Sequence, residues 1–259
     1  MNSSNICKII KKNGLYVFRK LYKKNEVNLY KKYLENILKT RIKKKEYVGS
    51  YDNKVLWSYF KEEPKLMNLV YIKKIDNILK KLLDKNYVFQ CGSAQNRSYD
   101  YTDDKKIKNK LGSKWHTDSR YLNGKRLEKG FSYLVIVALD EFTENNATSY
   151  IPMSHLSTKI PKRNFSKKEL KKLNQKKLIM DAGDVCIMDS GTWHKGGKTT
   201  NLNRWSVFNV YTGWFVKPYY DYSTMKKFKL NKIQKKILHF NSTPPKINDI
   251  RNTLIEIKS

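Results

Sequence analysis

Between Asn25 and Leu38, apolar side chains fall at Val27, Tyr30, Tyr33, Leu34, Ile37 and Leu38. That three-to-four spacing predicts an amphipathic helix with Asn25 as its N-cap. A second stripe, Met67, Val70, Ile75, Ile78, Leu79 and Leu82, predicts a helix that opens at Pro64 and runs towards Lys85. Proline suits a first helical turn because its missing N–H has no partner there anyway. At Tyr87 the period changes. NYVFQCG, FSYLVIVALD, KKLIMDAGDVCIMD and RWSVFNVYTGWFV are β-branched and aromatic runs separated by turn residues, and they predict strands. The polar stretches 100–113 and 158–177 read as surface loops, the second enclosing a short Lys-rich helix, and a last helix is predicted over Asn231–His239. Helices followed by many short strands predict an α+β chain with a mainly β core, a sandwich or barrel backed by helices. With no repeat and no Gly/Pro-rich linker, residues 1–259 read as one domain. Its parts are mostly helical support over 1–86, a β core over 87–218 and a C-terminal extension over 219–259.

Composition narrows the class. Aromatics make up 13% of 259 residues, 18 of them Tyr, which excludes a disordered chain and allows a large core. Lys+Arg 54 against Asp+Glu 23 leaves a formal charge of +31. Most of it is lysine spread along the chain, which reads as solvated faces rather than one aromatic-interleaved basic patch. Nonspecific affinity for polyanions at low salt is expected, and a specific nucleic-acid partner is not. Cys7, Cys91 and Cys186 are odd in number, far apart and without a CxxC, which argues for a reducing compartment and against a disulfide framework or zinc ribbon. The opening MNSSNICKIIKK lacks a signal-peptide pattern, and the longest apolar run, Phe131 to Leu139, is too short to span a bilayer. A cytoplasmic protein without a membrane span is expected.

Candidate chemistry begins at KWHTDSRY, residues 114–121, which holds one of only four histidines. On an extended segment residues i and i+2 face the same side, so His116 and Asp118 project together while Thr117 turns away. A neutral ring nitrogen and a carboxylate make two-thirds of a facial site for a divalent metal. Alone, HxD is common by chance. A third donor stands at His194 in DSGTWHKGG, where the Gly191 turn after the strand Val185–Met188 can return the chain over the first pair. Ten residues later Arg204 begins another strand, with Ser206 on the same face. A guanidinium is a fixed fork for a carboxylate, and a neighbouring hydroxyl can complete the clamp. Two histidines, a carboxylate and an arginine are what a non-haem Fe(II) oxygenase needs: three protein ligands on one octahedral face and three open positions. Trp115 and Trp193, each preceding an expected ligand, should alternate to the opposite face and pack. His239, within ILHF, reads as core or surface, and Arg120 and Tyr121 are candidates to reach a substrate.

The order HTD at 116–118, NATSYIPMSH at 146–155, AGDVCIMDSGTWH at 182–194 and then Arg204 resembles the phytanoyl-CoA dioxygenase family of Fe(II)- and 2-oxoglutarate-dependent oxygenases. NGLYVFRKLYKKNEV at 13–27 is similar to that family's opening glycine, strand and helix start, and KLNKIQKKILHFNSTPP at 229–245 to its closing helix. The resemblance implies a double-stranded β-helix, a cupin-like jelly roll, with N-terminal helices packed on the sheet and a C-terminal helix. It implies that His116, Asp118 and His194 bind Fe(II), and that Arg204 holds the distal carboxylate of 2-oxoglutarate with Ser206 as a second clamp. O2 is the other implied cosubstrate. Gln95, Asn96 and Arg97 fall on the segment that lines the cosubstrate or substrate pocket in this family. Two departures stand out: the usual Pro-Gly-Ser-His turn reads Pro152–Met153–Ser154–His155, and the loop KGGKTTNLN before Arg204 is basic. The resemblance gives His155 a structural place beside that turn rather than a fourth ligand position.

The implied reaction hydroxylates a C–H bond of a small metabolite and releases succinate and CO2. A carboxylate at 118 argues against halogenation, because halogenating relatives keep a small residue there. Desaturation and ring closure use the same oxidant. Lys114, Arg120, Lys195 and Lys198 favour an anionic substrate. A nucleic-acid-directed oxygenase of the same chemistry would suit the charge, yet such enzymes carry a second arginine six residues after the first, where this chain has Val210. A non-catalytic jelly-roll binding protein would have no use for three ligands and an arginine.

Overall fold

Alternation along the strands sorts the β-rich half into two apolar layers. Leu134, Ile136 and Ala138 pack with Cys186, Met188, Phe142 and Met180 on one face. Tyr133, Val135 and Val137 point the other way and join Val185, Ile187 and Val207 against Ile10, Leu34 and Ile75 of the helices. The computed structural model describes residues 2–50, 53–98, 114–118, 121–122, 125–126, 130–200 and 202–240; the predicted loop 100–113 lies outside the described residues.

In chain order the elements are α1 (Ser3–Asn13), β1 (Leu15–Phe18), α2 (Lys24–Lys43), β2 (Gly49–Ser50), β3 (Asn53–Trp57), α3 (Met67–Val70), α4 (Lys73–Leu82) and β4 (Val88–Asn96). Then come β5 (Tyr121–Leu122), β6 (Lys125–Arg126), β7 (Ser132–Ala138), β8 (Ser149–Tyr150), α5 (Lys167–Lys172), β9 (Lys176–Lys177), β10 (Val185–Asp189), β11 (His194–Lys195), β12 (Trp205–Thr212) and α6 (Lys232–Ile237). Seven strands form an antiparallel sheet in the order β1-β10-β7-β12-β4-β3-β2. A smaller sheet, β11-β8-β9, lies over its other face from the helices, and β5-β6 form a two-stranded ribbon. This is a mainly β, α+β jelly roll. Among the described residues no helix is long and apolar enough to cross a membrane.

Three local expectations change. The helix predicted from Asn25 begins at Lys24, because Glu26 reaches back to accept the Lys23 N–H at 2.8 Å and caps the helix earlier. The single helix expected over 64–85 is three pieces: a 3₁₀ turn at Pro64–Leu66, then α3 and α4, with extended backbone at Tyr71 and Ile72 between them. The break has a cause. The carbonyls of Asn68, Leu69 and Val70 accept from Tyr22, Asn209 and Tyr211 side chains, so a further turn of helix could not use them. Finally, the N-terminal third also supplies β3, which carries Trp57 to the edge of the cleft described below.

Candidate active site

The segment around His116 is held as a short extension of the smaller sheet. His116 and His194 exchange backbone hydrogen bonds at 2.9 and 3.0 Å, and the Asp118 N–H donates to Ser190 O at 2.9 Å. The loop leading to His194 is braced from the N-terminus. Gly14 O accepts from Asp189 N at 2.7 Å and from the Thr192 hydroxyl at 3.3 Å, and the Ser154 hydroxyl accepts the Trp193 N–H at 2.8 Å. Gly14 can do this because it sits at φ +93°, and a Cβ there would lie 2.7 Å from Thr192 Oγ1. Trp115 and Trp193 turn from the cleft and sandwich Phe165, with ring centroids 5.7 and 5.9 Å away.

This scaffold brings His116, Asp118 and His194 together, with one potential ligand atom of each within 4.8 Å of the others. His116 Nε2 lies 3.8 Å from Asp118 Oδ1, and His194 Nε2 lies 3.6 Å from Asp118 Oδ2. Each Nδ1 rests against a backbone carbonyl, Lys114 O at 2.7 Å and Thr192 O at 2.9 Å. Those contacts assign the proton to Nδ1 in both rings and leave each Nε2 lone pair facing the carboxylate. Burial, and then the neighbouring His194, lower the His116 pKa and favour the neutral ring that a metal needs. His155 stands apart: its Nε2 is bonded to Lys11 O at 2.9 Å, at the C-terminus of α1. His239 is bonded to Phe89 O at 3.2 Å, beneath β4.

Arg204 is 1% exposed and forms no ion pair among the described residues. Its Nη1 donates to Asn146 O, its guanidinium lies 4.6 Å over the Phe142 ring, and its Nε has no acceptor among the described residues. Burial, and then the charge of Arg97, push it down to about 9. Ser206, two residues on and buried, also has no partner for its hydroxyl among the described residues. Because β12 alternates, Arg204 and Ser206 share the face of Phe208 and Val210, away from Trp205 and the helices.

A cleft of about 370 Å³ joins the His116–Asp118–His194 cluster to Arg204 between the two sheets, and Ser206, predicted as a second clamp, is not among its lining residues. The three expected ligands, Arg204, Gln95 and Arg97 line it, over an apolar floor of Leu134, Ile136, Phe208 and Val210. Asn96 does not line it but supports it: its side chain accepts from the Arg204 N–H at 3.3 Å and donates to Asn203 at 3.2 Å. Lys114, Lys195 and Lys198 are not among the lining residues, and the Lys195 ammonium instead sits 5.6 Å over the Trp115 ring. Arg120 lies outside the described residues, and Tyr121 is described only as part of β5. Sequence reasoning missed Trp57, Gln90, Thr148 and Tyr219, all of which line the cleft. Gln90 carried a faint signal, a lone amide inside the run NYVFQCG.

Comparison with solved structures finds the same architecture. The alpha-ketoglutarate-dependent carbocyclase SnoK from nogalamycin biosynthesis is 16% identical at TM-score 0.61, over 82% of this chain and 86% of its own. The epimerase SnoN from the same biosynthesis is 14% identical at TM-score 0.62, over 82% and 80%. HygX from Streptomyces hygroscopicus, solved with nickel and 2-oxoglutarate bound, is 12% identical at TM-score 0.62, over 83% and 89%. At such identities these structures speak for the fold alone. No curated protein sequence matches the chain. The family model for phytanoyl-CoA dioxygenase matches residues 10–204, a span that contains His116, Asp118 and His194 and ends on Arg204. The chain therefore belongs to the phytanoyl-CoA dioxygenase family, whose members are 2-oxoglutarate-dependent oxygenases.

Proposed function

We propose that the protein binds Fe(II), 2-oxoglutarate and O2 and hydroxylates a C–H bond of a small molecule, releasing succinate and CO2. His116, Asp118 and His194 hold the metal. The donor set suits it: two neutral imidazoles and one carboxylate on one side, with an open cleft on the other. Bound there, iron supplies the O2 activation that no side chain can. Arg204 grips the distal carboxylate of 2-oxoglutarate, with the Ser206 hydroxyl beside it. The apolar floor of Leu134, Ile136, Phe208 and Val210 keeps water from the reacting carbon.

The observation that carries this reading is the Arg204 guanidinium, buried in the cleft wall without a carboxylate partner among the described residues. A buried cation left uncompensated is costly, and an incoming carboxylate relieves the cost. SnoK and SnoN are named for carbocyclisation and epimerisation, so product analysis is what separates those outcomes from hydroxylation here. A nucleic-acid substrate is disfavoured by the cleft's small volume and by Val210 in its floor. The test is spectroscopic. Anaerobic Fe(II) and 2-oxoglutarate should give a weak visible charge-transfer band that His116→Ala lacks. Identical spectra without a band from both proteins would overturn the reading and favour a metal-free binding protein.

A further inference from the structure

The two ends of the cleft differ in chemistry. Arg97 and Arg204 lie together at one end, where the Arg97 N–H donates to Arg204 O at 3.2 Å. Trp57, Gln90 and Tyr219 make the other end. Trp57 is carried there by pairing with Ser93, and Tyr219 by its N–H bond to Gln90 O at 3.1 Å. From Gln90 to Asn96 an extended strand covers about 20 Å, farther than a five-carbon diacid held at Arg204 can reach. None of the described residues lining the Gln90 end is charged.

Gln90 faces the cleft for a structural reason. Between Val210 and Tyr211 the register of β12 on β4 jumps from Cys91 to Phe89, leaving Gln90 as the extra residue of a β-bulge. Regular alternation would turn Gln90 away, because Cys91 already lines the cleft, and the bulge brings both in. Gln90 is 4% exposed. Its backbone carbonyl is used by the Tyr219 N–H and the Tyr222 hydroxyl, whereas its side-chain amide has no partner among the described residues. An amide in a cleft wall, bonded to none of the described side chains and open to the cleft, is free to meet a ligand's polar group. Beside it, Trp57 and Tyr219 are 41% and 46% exposed, and Trp57 is backed by Tyr220 at 6.0 Å. Exposed rings at a cleft mouth are stacking surface.

We propose that the Gln90 end takes an uncharged, flat substrate, whose ring system lies on Trp57 and Tyr219 and whose hydroxyl or carbonyl is read by the Gln90 amide. The assignment rests on the oxygenase reading of the site and replaces the anionic substrate suggested by the lysines. An amide both donates and accepts, which suits a neutral oxygen function. A carboxylate at that end would lose water and meet no cation.

1-Naphthol and 1-naphthoate share a ring system and differ in charge. Both are titrated by calorimetry into the protein holding Ni(II) and 2-oxoglutarate. Naphthol should bind at least tenfold more tightly than naphthoate. Trp57→Ala and Gln90→Leu should each weaken naphthol at least fivefold, and Trp57→Phe should restore most of the loss. Gln90→Leu keeps the apolar packing, so it remains informative if Trp57→Ala unfolds, and thermal melts check both. The assignment is overturned if naphthol does not bind, if naphthoate binds more tightly, or if a folded Trp57→Ala or Gln90→Leu leaves naphthol affinity unmoved. The Fe(II)–2-oxoglutarate band is recorded on the same proteins. Its absence in the unmodified chain refutes the oxygenase reading whatever naphthol does, and its presence without naphthol binding refutes the substrate assignment alone.

Discussion

Arg204→Met should make the ligand-free protein more stable while abolishing its response to 2-oxoglutarate. Burial and the nearby charge of Arg97 hold the guanidinium at about 9, far below an ordinary guanidinium. At 1.36 kcal/mol per pH unit, keeping it charged in the folded chain costs about 5 kcal/mol at neutral pH. Its bond to Asn146 O and its contact with the Phe142 ring offset about 3 kcal/mol of that. Methionine fills similar space without charge, which leaves the variant about 2 kcal/mol ahead, or about 5 °C in melting temperature for a chain of this size. The pH dependence has a definite sign. From about 9 up to the ordinary guanidinium range the unfolded arginine keeps a proton that the folded one has lost, so the stability of the unmodified protein rises with pH there. The variant's advantage is therefore full at pH 7.5 and smaller at pH 9.5. Differential scanning calorimetry at both values, first without ligand and then with Ni(II) and 2-oxoglutarate, measures every part of this. The unmodified protein should gain about 2.7 kcal/mol when 2-oxoglutarate is present at a hundred times its Kd, and the variant should gain only what the metal gives. A variant that melts lower without ligand, or one that keeps the full 2-oxoglutarate response, refutes the reasoning.

Asp118→Ala should weaken Ni(II) binding at least tenfold by calorimetry, because it removes the one anionic donor of the cluster. Gly14→Ala should cost about 2–4 kcal/mol in urea unfolding, since its Cβ would sit 2.7 Å from Thr192 Oγ1 and 2.9 Å from His155 Nδ1 at a φ of +93°. The same change loosens the loop before His194, so metal affinity should fall with it. His155→Ala should cost about 2 kcal/mol through the lost bond to Lys11 O and the space it leaves. Its Fe(II)–2-oxoglutarate band should survive in intensity, and loss of that band from a folded variant would make His155 a ligand after all.

How far the sequence reaches depends on whether a feature is local. β7 and β10 are readable because SYLVIVA and VCIMD are buried on both faces and so run apolar without interruption. β3 is hidden, because in NKVLW only Leu56 is fully buried and the pattern is too weak to declare a strand. The break between α3 and α4 is beyond any local reading. Its cause is the pair Asn209 and Tyr211, about 140 residues downstream, which take the carbonyls a continuous helix would need. The site divides in the same way. HxD spacing anticipates His116 and Asp118 on one side, but their meeting with His194 depends on a backbone bridge between segments 78 residues apart. Arg204 is legible as a strand-opening cation, whereas its lack of an anionic partner among the described residues is a property of the folded wall.

The +31 charge and the cleft act on different steps. Solvated lysines raise the local concentration of anions and speed their encounter, an effect screened within about 8 Å at physiological salt. That favours delivery of 2-oxoglutarate, itself a dianion, to a mouth whose guanidiniums stand at one end. It does not choose the other substrate, because specificity comes from groups in contact, and at the Gln90 end those are an amide and two aromatic rings. The motifs that carry the family resemblance, HTD, the turn at 152–155 and the strand leading to His194, lie at or brace the proposed metal and cosubstrate end. Trp57, Gln90 and Tyr219 lie in none of them. A fold that keeps its chemistry at one end of a cleft and its selectivity at the other can change substrate without touching the ligands, which is why membership of the family fixes the reaction class and leaves the substrate to be read from three side chains.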